Sequence, residues 1–164
     1  MASHVIIVNG PPAAGKTCVT AELRLLLPGT VAISGDALRA FAPADARTHL
    51  GGGATHRAAG ALARAYLELG APRVIFDYLC VRPKHFRDFS EALPAAVEVK
   101  VFTLWPPLET LLERERLASG ASRVAASCHH EMAVNLGAMG EILDNGALSP
   151  ADAARFIHQR CVRA

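Results

Sequence analysis

Aromatic residues are scarce: 1 Trp, 2 Tyr and 6 Phe in 164 residues. A core with so few large rings must be aliphatic, with alanine and glycine letting helices approach a sheet closely. The four cysteines, Cys18, Cys80, Cys128 and Cys161, stand far apart with no C-x-x-C pair. That spacing argues against a disulfide framework or a zinc site and for isolated thiols in a reducing cytoplasm. No run approaches the roughly 20 apolar residues that span a bilayer. A signal-peptide layout is also missing, because the first apolar run is broken by a glycine-bearing loop and Lys16. The formal net charge is only +2, too little to track a nucleic-acid backbone without a clustered basic face. These absences leave a cytoplasmic globular chain of one-domain length, with no membrane and no nucleic acid among its expected partners.

What is present is an alternation of strand and helix patterns. "HVIIVNG" is a β-branched run ending in turn residues, followed by a helix from about Lys16 to Leu27 that "PG" stops. "VAIS" at 31–34 is a second strand, and "GDALRAF" opens a helix with Asp36 near its N-cap. Residues 41–54, with a proline and three consecutive glycines, read as a long irregular loop, and a helix from about Thr55 to Leu69 follows. "RVIFDY" at 73–78 and "VEVKVFTLW" at 97–105 are the third and fourth strands, with the helix "RPKHFRDFSEAL" between them. "LETLLERERLASG" places Leu108, Leu111 and Leu112 on one helical face. A further helix over about 126–138, a short fifth strand in "GEILDNG" and a capped helix from "SPADAARFIHQRCV" complete the chain. "CHHE" at 128–131 holds metal-binding residue types, but adjacent helical residues diverge, so a polar helix face is expected. The pattern predicts one α/β domain, a five-stranded parallel sheet flanked by helices, with its ligands at the strand ends near Asn9, Ser34 and Asp77.

The most specific stretch is "GPPAAGKT" at 10–17, which satisfies G-x-x-x-x-G-K-[ST] between a strand and a helix. Glycines let backbone amides wrap phosphates, and the helix behind them adds the positive end of its dipole. Gly10, Pro11, Pro12, Ala13, Ala14, Gly15, Lys16, Thr17 and Cys18 are therefore the expected nucleotide cradle. Lys16 would bridge the β- and γ-phosphates, and the Thr17 hydroxyl would ligate Mg²⁺. No guanine-reading N-K-x-D occurs, and the chain is short for a motor ATPase. A small kinase remains, and it needs a proton acceptor beyond the second strand and a basic lid.

Asp36 is the candidate base, and Arg39, one turn later, a candidate substrate contact. Asp77 is the rival carboxylate: it suits Mg²⁺ in the manner of a Walker B aspartate, or the acceptor hydroxyl jointly with Asp36. The lid is expected over about 114–126. Arg114 and Arg116, two apart, point in nearly opposite directions, so only one faces the phosphates. Arg116 and Arg123 are the pair expected there, with Arg114 the replacement. Residues 41–60 are the expected acceptor segment.

The order of "IIVNGPPAAGKT", "AISGDALRAF", "VIFDY", "RERLASGASRV" and "ILDNGALSPADAARFI" resembles the chloramphenicol phosphotransferase-like family of small P-loop kinases. The resemblance implies a fold related to shikimate and nucleoside monophosphate kinases, Mg–ATP or another NTP such as GTP as donor, and phosphorylation of a hydroxyl. Asp36 falls on the family's general-base position. Arg116 and Arg123 fall on two lid arginines seven apart, while Gly120 stands where a middle arginine belongs. The acceptor segment differs from that of the chloramphenicol enzyme. The expected activity is O-phosphorylation of a small hydroxylated molecule, an antibiotic foremost. A metabolic kinase for a sugar acid or nucleoside, and a non-catalytic nucleotide-binding regulator, are the alternatives.

Overall fold

Alternating β-branched residues make β1 (His4–Asn9) a strand buried on both faces. Val5 and Ile7 face one helical layer and Ile6 and Val8 the other, all fully buried. The structure, a computed structural model, describes residues 4–119 and 124–162. After β1 come α1 (Lys16–Leu26), β2 (Val31–Ser34), α2 (Gly35–Ala40), α3 (Ala44–Leu50), α4 (Ala54–Glu68) and β3 (Arg73–Asp77). The chain continues through α5 (Pro83–Ser90), β4 (Glu98–Leu104), α6 (Leu108–Ser119), α7 (Val124–Ala133), β5 (Glu141–Leu143) and α8 (Pro150–Val162). The five strands pair in parallel in the order β2-β3-β1-β4-β5. The expected parallel sheet is therefore the sheet observed.

Two aliphatic cores lie on its faces. Leu23 of α1, Leu111 of α6 and Ile157 of α8 cover one; Ala59 and Ala63 of α4 with Phe89 of α5 cover the other. Each fully buried Ile or Leu contributes about 1.5–3 kcal/mol over its exposed state. The α6 stripe is narrower than the leucine spacing predicts: Leu111 is buried, but Leu108 and Leu112 are exposed.

The segment 41–54 is not one irregular loop. Pro43, extended at ψ 168°, precedes the helix α3, with Asp45 in its first turn and Arg47 and His49 in its last. These charges complement the helix dipole. α3 buries no residue, so it leaves no apolar periodicity in the sequence, and only Gly51–Gly53 remain between α3 and α4. No helix among the described residues is long and apolar enough to cross a membrane.

Candidate active site

β1 ends at Asn9, and a buried polar network fixes that end. The Asn9 amide donates to Thr103 Oγ1 (3.0 Å) and its Oδ1 accepts from the Cys80 amide (2.8 Å), while the Thr103 hydroxyl donates to the Met139 carbonyl (2.6 Å). The C-terminal ends of β1 and β4 and the chain beyond β3 are thereby locked together just below the glycine loop. In the loop, Ala13 adopts φ 64° and Gly15 φ 95°. The left-handed conformation at Ala13, an L-residue, costs roughly 1–2 kcal/mol. Gly15 occupies the N-cap of α1, with no side chain bonded to the helix end and no acidic residue in the first turn. The first amides of an 11-residue helix thus face the loop's concavity, as an anion requires.

Lys16 Nζ donates to the carbonyls of Gly10 and Pro11, both at 3.0 Å. An ammonium has three N–H donors, so two brace the loop and one remains for a ligand. Burial pushes the Lys16 pKa down, and the carboxylates of Asp36 and then Asp77 oppose that shift. Pro12, Ala13, Gly15, Lys16, Thr17 and Cys18 share a cavity of about 310 Å³ with Asp36. The structure therefore brings the loop and the candidate base to one place.

Asp36 lies in the first turn of α2, exposed, but it is not the cap. Ser34 is the N-cap and accepts from the Ala37 amide at 3.4 Å. No described residue hydrogen-bonds the Asp36 carboxylate. Arg39 is exposed on the same short helix, and Asp77 is buried beside it at the end of β3, in register with Ser34. Burial raises the Asp77 pKa; Lys16 and then the nearby Thr20 hydroxyl pull it down, and Asp36 adds a smaller rise. That hydroxyl is buried and falls short of hydrogen-bond geometry with any described partner. Asp77, a buried carboxylate with the orphaned Thr20 hydroxyl nearby, and Thr17, exposed at the start of α1, are oxygen ligands of the kind taken by Mg²⁺, which uses few protein ligands and completes its shell with water and phosphate. By residue type, Thr17 and Asp77 are compatible with the metal expected from the sequence.

The helical phase of α6 reverses the expected order of its arginines. Arg114 turns inward, donating to the carbonyls of Ala14 (3.4 Å), Asn145 (3.2 Å) and Gly146 (3.3 Å). Arg116 projects to solvent and pairs with Glu113 at 2.8 Å. Leu111 and Glu115 are buried in this helix; Arg114, one turn on from Leu111, shares their side and Arg116 does not. Arg123, with part of the lid at 114–126, lies outside the described residues. Asn145 joins Arg114 by donating to Ala14 O at 2.8 Å. Arg114 and Asn145 line a second cavity of about 250 Å³ with Gly15 and Cys18, on the flank of the loop. The "CHHE" residues disperse: His129 stacks on Trp105, with centroids 4.0 Å apart, and Glu131 pairs with Arg82 at 2.6 Å.

A third cavity, about 340 Å³, lies over α2, α3 and the start of α4, within the segment 41–60 and its neighbours. Leu38, Phe41, Ala42, Leu50, Ala54 and Ala58 make it largely apolar, and Arg47, Thr55, His56 and Tyr78 are its polar members. Gly35 is what lets Tyr78 in: a Cβ there would sit 2.1 Å from the Tyr78 ring. Arg47 ties α3 back to the end of α2, donating to the carbonyls of Ala42, just beyond that helix (2.7 Å), and Arg39, within it (3.5 Å). Arg57 ties Gly51–Gly53 to α4 through the carbonyls of Leu50 (3.3 Å) and Gly52 (3.2 Å).

His56 is a residue the sequence reading passed over. It is 5% exposed and stacks on His85 with centroids 4.3 Å apart. Its Nε2 donates to the Leu79 carbonyl at 3.1 Å, while Nδ1 is buried without a partner. Burial, then the neighbouring His85, lowers its pKa to about 4. The ring is neutral at pH 7, and with Nε2 carrying the proton Nδ1 is a pure acceptor. A buried acceptor left unpaired costs about 1–3 kcal/mol. The available signal was spacing: positions 56, 59, 60 and 63 form the buried face of α4.

A family profile described as AAA domain matches residues 5–135. Among solved structures, the fold is similar to that of the Deinococcus radiodurans tunicamycin resistance protein (TM-score 0.73, 22% identity, 97% of this chain and 95% of that one). It is also similar to a sugar kinase from Janibacter sp. HTCC2649 (TM-score 0.69, 15% identity, 99% and 96%). A gluconokinase from Sinorhizobium meliloti 1021 follows (TM-score 0.65, 17% identity, 98% and 92%). No curated protein matches the sequence. At these identities the likeness is one of fold, and it is the small P-loop kinase fold that the motif order implied.

Proposed function

We propose, from the premise that this chain belongs to the AAA domain family, that it is a Mg–NTP-dependent phosphotransferase acting on a hydroxyl of a small molecule. The observation that carries this reading is the single cavity shared by Lys16, Thr17 and Asp36. A carboxylate facing the phosphate cradle is what transfer to an alcohol needs.

The loop amides and the α1 N-terminus hold the phosphates, and Lys16 supplies positive charge where the transition state spreads negative charge. Mg²⁺ held by Thr17 and Asp77 would neutralise phosphate oxygens and orient them. Asp36 accepts the proton of the acceptor hydroxyl as the hydroxyl oxygen bonds to the γ-phosphorus and the bond from that phosphorus to the β,γ-bridging oxygen breaks, releasing the nucleoside diphosphate; Arg39 contacts a polar part of the acceptor. Arg114 and Asn145 support the loop from the flank, where the nucleotide base would lie. Arg116 joins the phosphates only by leaving Glu113, and Arg123 is the other lid cation. ATP and GTP are both candidate donors, and the cytoplasm is the compartment such a donor implies.

An antibiotic or similar hydroxylated natural product is the acceptor class we favour. The similarity to a tunicamycin resistance protein supports it, and so does the largely apolar lining of the cavity over α2, the helix that carries Asp36, which suits an acceptor with an apolar body. Mass spectrometry of tunicamycin, chloramphenicol and gluconate incubated with the protein and Mg–ATP or Mg–GTP tests this directly. A phosphate added to a natural product and not to gluconate is the expected result. Phosphate added to gluconate alone would make the chain a metabolic kinase, and nucleotide binding with no transfer to any hydroxyl would make it a regulator.

A further inference from the structure

The apolar cavity over α2, α3 and α4 has one buried polar atom whose bonding capacity is unspent. His56 Nε2 is occupied by the Leu79 carbonyl at 3.1 Å, which fixes the proton on Nε2 and the lone pair on Nδ1. Nδ1 has no described partner, although the ring lines the cavity and is held on both sides by stacking on His85 and contact with Tyr78. His85 does not relieve it: the Val81 amide donates to His85 Nδ1 at 3.1 Å, which puts the His85 proton on Nε2, and because the two rings stack 10° from parallel that N–H lies in its own ring plane rather than towards His56 Nδ1. The remaining walls are chiefly aliphatic, and Phe41 and Leu50 at the rim are exposed apolar side chains.

We infer that His56 is a specificity-determining residue of the acceptor site, its Nδ1 taking a hydrogen bond from a second donor on the acceptor molecule. The acceptor is then an alcohol with an apolar body and, besides the hydroxyl at Asp36, a further O–H or N–H. This rests on the phosphotransferase reading for its meaning but not for its measurement. Nδ1 is sealed from solvent, so a donor reaches it only through a shift of the cavity walls, of which α3 and Gly51–Gly53 form one. That wall packs no buried residue of α3 into the core. A site built to accept a hydrogen bond discriminates against an analogue without the donor, because the acceptor then stays buried and unpaired.

The test uses two probes of one shape, phenylethylene glycol and phenethyl alcohol, which differ by a single hydroxyl. Nitrogen-15 NMR of the histidine-labelled protein follows the Nδ1 resonance of His56, assigned by its loss in His56→Gln. Gln places its amide N–H near the Nε2 position and so keeps the Leu79 bond while removing the Nδ1 acceptor. The glycol should move the Nδ1 resonance and bind roughly 3- to 10-fold more tightly than phenethyl alcohol, and in His56→Gln the two should bind alike. If neither probe moves the resonance up to its solubility limit, or the glycol's preference survives in His56→Gln, the inference is overturned. A resonance shift without phosphate transfer from Mg–ATP or Mg–GTP to any hydroxyl would leave the His56 site standing and remove the kinase reading.

Discussion

Ser34 caps the helix on which Asp36 sits two residues later, its Oγ accepting from the Ala37 amide at 3.4 Å. The cap and the candidate base are therefore different residues. Asp36→Asn should leave the fold and nucleotide affinity nearly unchanged while slowing transfer by about 10²–10⁴-fold, the usual worth of a general base. The lower end is expected, because a loose phosphoryl transition state needs little prior proton removal. Single-turnover rates beside nucleotide titrations check it.

Asp77→Asn is the counterpart. In the proposed role Asp77 helps to hold Mg²⁺, so the defect of its removal should shrink as Mg²⁺ is raised. The Asp36→Asn defect should not respond. A near-normal rate in Asp36→Asn beside a Mg²⁺-insensitive collapse in Asp77→Asn would exchange the two roles.

Arg114→Ala removes three donors from the carbonyls of Ala14, Asn145 and Gly146. Nucleotide KM should rise about tenfold, the effect of losing one or two charge-assisted hydrogen bonds, with a smaller change in kcat. Arg116→Ala breaks an exposed pair with Glu113 and should weaken nucleotide binding less. Steady-state kinetics of the two variants against NTP decide between them.

Stability should depend on pH through His56. Its pKa is about 4 in the folded chain against about 6.5 when unfolded. The unfolded state therefore takes up a proton first as pH falls, and stability drops from about pH 6.5 to pH 4, by roughly 3 kcal/mol in all. The groups facing the ring are His85 and Lys84, which oppose its charging, and Asp88, which favours it. His85, also lowered, adds to the same fall. Asp88 is held below the usual carboxylate range by the Lys84 hydrogen bond, so its contribution is lost only at more acid pH. Urea midpoints across this range should fall less steeply in His56→Gln than in the wild type.

The sheet was legible because β1, β3 and β4 are runs of β-branched residues bounded by turn residues, and burial on both faces demands that composition. The glycine loop was legible because its backbone demands are local. α3 was not: seven residues between a proline and three glycines, none of them buried, carry no periodicity to read. The choice between Arg114 and Arg116 depends on how α6 is rotated about its axis, and the spread of Leu108, Leu111 and Leu112 does not fix that phase. His56 was hidden for another reason. A lone histidine on an alanine-rich face reads as core until its second nitrogen is seen to have no partner.

The central claim is that the glycine loop serves transfer to a small alcohol, and Lys16 tests it most directly. Its ammonium braces Gly10 and Pro11 and lies within the field of the Asp36 and Asp77 carboxylates. The decisive measurement is the rate at which labelled γ-phosphate appears on the best acceptor from the natural-product screen, in wild type and Lys16→Ala side by side. A loss of about 10²–10³-fold or more is expected, the scale of removing one preorganised electrostatic group. A wild-type rate in Lys16→Ala, with an unchanged circular dichroism spectrum, would contradict it.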